Sequence, residues 1–568
     1  MASDLSRRIS AGQGLRPADL VIRNARLLDL VTGSVDETDI AIVGDRIVAT
    51  HGRFEGERVV EAAGRFVVPG FIDTHLHIES SLVSPLEFDR FVLPRGVTTV
   101  FCDPHEIANV LGAEGIAYFV ACAEASVMDI RINLSSCVPA TPFETAAARL
   151  EIDDLLPFLD HPKVHGLAEM MNYPGVLTQD PGILAKLEAF QGRHIDGHAP
   201  LLRGAALNGY LAAGIRTDHE ATGADEAMEK LRKGMAILIR EGSASKDLEA
   251  LAGILTADTS AFVALCTDDR SPLDIVEEGH LDAMIRRLIA KGCPVHHVYR
   301  AASLSAARIF GLSDRGMVAP GWRADLVLLD DLADCRVSDV VAGGRLVEPT
   351  LFDSRPAVAP VGLGSMKAQP VPPERFRQPG AGLEAEVPVI GVKAGLLLTS
   401  RRAAVLRVSD GELQPDLAKD VLKLAVVERH GRNGNVGLGF VNGFGLKRGA
   451  IASSVAHDSH NITVVGTDAR DMAAAVDGVI ASGGGFAVAD EGRVVAALAL
   501  PMAGLMSLEP VDTVVHELEA LVRAARALGC TLPEPFLQLA FLALPVIPHL
   551  KLTDRGLFDV DRFAFVEA

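Results

Sequence analysis

From residue 70 onward, short apolar runs alternate with longer stretches whose hydrophobic positions recur at helical spacing. The runs are "GFIDTHLH", "VTTVFCDPHE", "DIRINLSSCVP", "KVHGLAEM", "HIDGHAP", "GIRTDHE", "MAILIREGS" and "AFVALCTDD". Each is followed by material that reads as helix, such as "ADEAMEKLRKGM". Eight strand–helix units in succession predict an α/β fold, a (β/α)8 TIM-like barrel over residues 69–312. Polar residues gather at the C-terminal end of nearly every run, where such barrels hold their active sites.

Before the barrel, "DLVIRNARLLD", "DIAIVGDRIVAT" and "RFVVPG" read as short β segments broken by Gly and Asp turns. After a last helix ("YRAASLSAARIFG"), "GMVAPGWRADLVLLDD" and "VSDVVAGGRLVE" match them in length and turn chemistry. The economical reading is one small β-sandwich domain built from both sides of the barrel segment, residues 1–68 and 313–350. Residues 351–384 hold the Pro-rich "RPAVAPVGLGSMKAQPVPPERFRQPG" and read as a linker. Residues 385–568 are expected to form a C-terminal α+β domain. Its glycine-rich "GRNGNVGLGFVNGFG" and "SGGGFAVADEG" lack the P-loop lysine and the dinucleotide spacing, so turns and close-packed backbone are expected there.

Composition adjusts this picture only at its edges. A net charge of −20 argues against a nucleic-acid backbone or an anionic membrane as partner. "MASDLSRRISAGQG" has no apolar core of a secretory leader, and "VVAALALPMAGLM" is too short to span a bilayer and is interrupted by proline. The 7 cysteines form no CxxC pair, which reads as reduced thiols in a cytoplasmic protein. Cys102 and Cys266, inside apolar runs, are expected as buried thiols.

The chemistry starts at "GFIDTHLHIESS". His75 and His77 are two apart on a strand and therefore share a face. Glu169, His198, His219 and Asp268 stand at the ends of the fourth, fifth, sixth and eighth runs. A closed barrel brings those ends around one cavity. Four imidazoles and two carboxylates suit two divalent ions, with a carboxylate able to bridge them. Any one of these histidines alone would be read as a hydrogen-bonded loop residue; together they predict a metal site. "HIE" at 77–79 mimics the H-x-E of zinc cytidine deaminases, but the P-C-x-x-C that fold requires is missing.

These residues also carry a resemblance. "PGFIDTHLHIE", "GLAEMMNYPGV", "DGHAP", "RTDHE" and "CTDDR" resemble the amidohydrolase superfamily, a group of metal-dependent hydrolases. "REGSASKDL", "TDDRSPLDI" and the C-terminal "SVAHDSHNI" narrow the likeness to the bacterial adenine deaminase family, over essentially the whole chain. Many binuclear relatives carry a carboxylated lysine at the fourth strand; here Glu169 stands there, and Lys163 lies at the opposite end of the run. The resemblance implies hydrolytic deamination of adenine to hypoxanthine and ammonia by a metal-bound hydroxide, a purine-salvage reaction. It also implies two divalent ions, Mn2+ or Fe2+, with Zn2+ tolerated, in a homo-oligomer expected to be a dimer.

Asp268 is expected to shuttle the proton, with Glu169 and His219 as the other catalytic candidates. The purine ring is expected to be read by Asp103, His105 and Glu106 of "CDPHE" and by Arg240, Glu241 and Ser243 of "REGS". His105 as a further ligand stays open. Glu79 and Ser81 are either substrate contacts or caps of the next helix. His457, Asp458 and His460 serve a metal or lid, or a loop held by hydrogen bonds, with the loop preferred. Two other functions compete: a binuclear amidohydrolase acting on a cyclic amide or a different aminated heterocycle, and a metal-free scaffold, against which the intact ligand set speaks.

Overall fold

The computed structural model describes residues 4–566. All eight runs are barrel strands: Phe71–Leu76, Val97–Cys102, Asp129–Leu134, Val164–Met170, His194–Gly197, Thr217–Asp218, Ala236–Arg240 and Val263–Cys266. They pair in parallel and in chain order, the first five in one arc and the last three in another. The first and eighth strands meet through a parallel bridge between Leu76 and Asp268, and the Asp268 N–H donates to His75 O at 3.0 Å. Every residue of the first, second, seventh and eighth strands is buried. Helices cover the outer face of a parallel barrel and side chains fill its inside, so apolar runs rather than alternation mark these strands. The sixth strand is the shortest because its run holds one aliphatic residue, Ile215, before turning polar.

Strands from both flanks of the barrel form one eight-stranded sheet. Phe66–Pro69, just before the barrel, pairs antiparallel with Leu326–Leu329, just after it. A helix, Asp4–Gly12, and a strand, Gly56–Glu61, join this unit without having been expected from the pattern. The helix buries only Ala11, which packs on Ala18, Val21, Ala41, Val43 and Ala49.

The Pro-rich segment is largely irregular but is pinned along its length. Arg355 Nη1 donates to Asp89 Oδ2 at 2.6 Å, Lys367 N–H to Arg429 O at 2.9 Å, and Phe376 is buried in the C-terminal core. Beyond it lie a nine-stranded sheet and the helices Ala469–Ala481 and Val511–Ala527. The glycine-rich stretch runs through the strand Val436–Asn442, where a Cβ on Gly437 would lie 2.0 Å from Thr553 O. Close packing, not ligand binding, demands that glycine.

The C-terminal unit is fastened over the barrel's C-terminal end. Thr145 Oγ1 donates to Asp554 Oδ2 at 2.7 Å, Asn461 Nδ2 to Thr145 O at 2.9 Å, and Ser507 N–H to Leu82 O at 2.8 Å. All seven cysteines are free, and burial pushes the Cys102 and Cys266 thiols well up. Among the described residues, no helix is long and apolar enough to cross a membrane.

Candidate metal centre

His75, His77, Glu169, His198, His219 and Asp268 converge at the C-terminal rim of the barrel, all buried. Glu169 lies between two histidine pairs. Its Oε1 is 3.3 Å from His77 Nε2 and 3.9 Å from His75 Nε2; its Oε2 is 2.7 Å from His198 Nδ1 and 3.2 Å from His219 Nε2. Asp268 Oδ1 completes the first pair at 3.2 Å from His77 Nε2 and 3.7 Å from His75 Nε2. Asp268 has a left-handed backbone, φ 53°, a conformation that Asp adopts more readily than most residues.

The arrangement suits divalent cations. His75 Nδ1 faces Asp196 Oδ2 at 3.0 Å and His77 Nδ1 faces the Asp103 carbonyl at 3.0 Å, and both of these oxygens can only accept. Each ring therefore carries a proton on Nδ1, which leaves Nε2, turned inward, as the atom able to offer a lone pair to a metal. The two Nε2 atoms face each other at 3.2 Å, where two lone pairs cannot bond to one another. His198 Nε2 and His219 Nδ1 are buried with no hydrogen-bond partner. Buried polar atoms are rarely left this way.

Electrostatically the rim calls for positive charge. Burial pushes the Glu169 and Asp268 carboxyls up, but their imidazole partners, and for Asp268 also Arg240, hold both well below the usual range. Burial pushes His198 down, yet the charges of Glu220 and Glu169 raise it to about 9. His77 is likewise raised against burial by Asp268 and Glu169. Divalent ions on these donors would supply the charge that protonated rings otherwise provide.

The other site candidates divide. Asp103 Oδ2 faces His105 Nδ1 at 3.0 Å and its Oδ1 accepts from Ser135 Oγ at 2.9 Å, so Asp103 orients His105. His105 lines the cavity and Glu106 lies buried behind it. Arg240 reaches the cavity, donates to Asp268 Oδ2 at 3.0 Å, and pairs with Glu220 and Asp247.

Two candidates are corrected. Glu241 points the other way, bound to Arg287 and to the Leu248 N–H. Ser243 donates to Asp274 Oδ2 at 2.6 Å beside an outer groove of about 750 Å3 that holds none of the six rim residues. Alternation explains Glu241, since with Arg240 facing inward at the end of the seventh strand the next residue cannot; Ser243 lies beyond that strand. Glu79 is not among the residues lining the cavity and does not cap the next helix, which Ser84 caps at 3.3 Å from the Glu87 N–H; Glu79 Oε1 accepts instead from the Ile107 N–H at 3.1 Å. Ser81 bonds back to Ile78 O at 2.6 Å.

Sequence reasoning missed three carboxylates and one whole wall. Asp196, which orients His75, stands two residues before His198 on one strand face, a signal present in "HIDGH". Glu220 and Asp269, each adjacent to a rim residue, also line the cavity. The wall comes from the C-terminal unit: Leu397, Phe541, Leu544 and Ile547, with His457 stacked on Phe541 at 4.4 Å. The preference for a hydrogen-bonded loop at 457–460 undervalued it, since His457 and Asp458 line the cavity.

A parallel barrel whose strand ends gather imidazoles and carboxylates is the arrangement of the amidohydrolases, and residues 66–347 match the family model described as amidohydrolase family. Residues 396–564 match that of the adenine deaminase C-terminal domain. The chain is 63% identical over 562 residues to an adenine deaminase of Methylobacterium nodulans, covering 99% of each. It is 60% identical over 566 residues to adenine deaminase 1 of Agrobacterium fabrum, covering 100% of this chain and 98% of the relative. An adenine deaminase of Cereibacter sphaeroides is 61% identical over 563 residues, covering 99% of each. The chain belongs to the adenine deaminase family.

Proposed function

We propose that this chain hydrolyses adenine to hypoxanthine and ammonia. The observation that carries the reading is the convergence of six ligand-type residues on one cavity in a chain that is at least 60% identical, end to end, to proteins named adenine deaminase. His75, His77, Glu169, His198, His219 and Asp268 would hold two divalent ions, with Glu169 between the pairs. Manganese(II) or iron(II) fits this mixed nitrogen and oxygen set, and zinc is tolerated. When bound, the ions supply a strongly nucleophilic water at neutral pH and charge to oppose the developing negative oxygen.

In the reaction a C–O bond forms at C6 of the purine, the C6–N bond breaks, and the amine leaves as ammonia with protons from water. Asp268 is ionised and placed to take a proton at Oδ1 and return it to the leaving amine. Arg240 on Oδ2 keeps that carboxylate aimed, which makes Arg240 a positioning residue. Leu397, Phe541, Leu544 and Ile547 exclude water and offer a flat apolar face to the base, while Asp269 and Glu220 add polar edges.

The rest of the reading follows from the same chain. The division into 1–68 with 313–350, 69–312, 351–384 and 385–568 is supported by the strand pairing across the barrel's flanks. The strands form a single sheet, and one core that joins its two flanks, around Ile22, Ile40, Leu326 and Val341, supports the expected sandwich form. Free thiols and a net charge of −20 support a cytoplasmic salvage enzyme, and a homodimer is the expected assembly.

Ammonia release measured over a panel of purines and cyclic amides tests the substrate. Adenine should be turned over, and adenosine and AMP poorly or not at all. Faster turnover of a hydantoin or of adenosine would overturn the reading.

A further inference from the structure

We propose that the chain holds a further divalent cation, separate from the barrel-rim pair, on His105 and Glu106 of the barrel and His457 and Asp458 of the C-terminal unit. His105 Nε2 lies 3.6 Å from Asp458 Oδ1, Asp458 Oδ1 3.8 Å from His457 Nδ1, and His457 Nδ1 3.6 Å from Glu106 Oε1. None of these separations is a hydrogen bond. They are the separations of donors around one ion: at about 2.1 Å from a metal, tetrahedral neighbours stand roughly 3.4 Å apart.

Burial and orientation agree. The four side chains are no more than 5% exposed. Of the gathered atoms, His105 Nε2 is buried with no hydrogen-bond partner and Glu106 Oε1 accepts from Ser80 Oγ at 3.3 Å; the second carboxylate oxygens of Glu106 and Asp458 and the Nε2 of His457 are also buried and unpartnered, a concentration above the few expected in a native protein. Asp103 holds His105 by Nδ1 and so aims its Nε2 lone pair into the cluster, as carboxylates do for metal-binding histidines. Imidazoles mixed with carboxylates favour manganese, iron or zinc over calcium or magnesium.

The donors come from two units of the fold. His105 and Glu106 open the helix after the second barrel strand; His457 and Asp458 belong to the segment that walls the cavity. A cation there clamps the C-terminal unit onto the mouth of the barrel. The site adjoins the rim, since His105 Nδ1 is 3.5 Å from Glu169 Oε1, yet it shares no donor with the rim residues.

The test uses full-length protein loaded with Mn2+, freed of loose metal and analysed for metal per chain. His457→Ala, Asp458→Ala and His198→Ala are measured beside it, with circular dichroism to verify folding. His457→Ala and Asp458→Ala should each hold one Mn2+ fewer than the unsubstituted chain, and the loss should add to that of His198→Ala in a double variant. Full Mn2+ content in both folded His457→Ala and Asp458→Ala overturns the clamp. Full content in His198→Ala overturns the rim pair instead, so the two failures are distinguishable. A chelator should lower the melting temperature of His198→Ala more than that of the His198→Ala/His457→Ala double variant; equal shifts also overturn the clamp.

Discussion

Both ends of the barrel gather charged and titratable side chains around a buried carboxylate, and they behave oppositely. At the N-terminal end, Asp129 meets Lys163 at 2.8 Å, Arg131 at 2.8 Å and Arg315 at 2.6 Å, and Arg315 also donates to Thr99 Oγ1 at 3.0 Å. Each charge there is answered by the protein. At the C-terminal end, His75 and His77 bring their Nε2 atoms to 3.2 Å from each other and His198 and His219 leave ring nitrogens unpartnered. Burial of charged groups therefore does not mark the functional end; the missing partners do. One unpartnered nitrogen is not enough. His165 has one as well, yet its ring lies 4.7 Å from Phe101, burial pushes it down to about 3, and it packs as a neutral ring.

The contrast breaks most sharply at the ligands. His75→Ala should lose metal and lower turnover by about 10³ or more, because several kcal/mol of nucleophile activation and charge stabilisation go with the ion. Elemental analysis and kcat on one preparation check it, and an active His75→Ala with full metal would remove the contrast. Asp268→Asn keeps the shape and an oxygen donor but removes the base. Its kcat should fall by roughly 10² with metal and folding kept. Near-full activity with metal bound would send the proton transfer to Glu169 or His219.

One step out from the rim, Asp196→Asn weakens the grip on His75. Metal affinity should drop by about 10 to 100-fold, with activity recovered in excess metal. A titration of apo-protein with Mn2+ reads this directly.

The smallest effect on catalysis belongs to the other end. Asp129→Ala should leave the kcat of folded protein unchanged while costing about 3–5 kcal/mol of stability, since buried Arg315 and half-buried Lys163 and Arg131 lose their partner. Burial pushes the Asp129 carboxyl up, but Lys163, Arg315 and Arg131 outweigh it and hold it far below the ordinary range. Its contribution is thus complete above about pH 4, the unfolded carboxylate range, and lost as pH falls toward the folded value. Urea melts at pH 7 and at pH 3 to 4 should show a difference between the two proteins that shrinks with acid. A difference that grows with acid would contradict this pairing.

The sequence alone determined the barrel and the rim. Eight apolar runs with polar ends leave one topology, and in that topology strand ends share a cavity whatever their distance along the chain. That is why His75 and Asp268, 193 positions apart, were legible as neighbours. Period-two reasoning would also have found Asp196 and rejected Glu241, because it is set by backbone geometry alone. Tertiary structure decided the rest. Asp458 reaches His105, and Phe541 reaches the cavity, through the docking of one unit on another. No local periodicity records that docking: it depends on shape and hydrogen-bond complementarity between surfaces such as Thr145 and Asp554, which only the folded units present to each other.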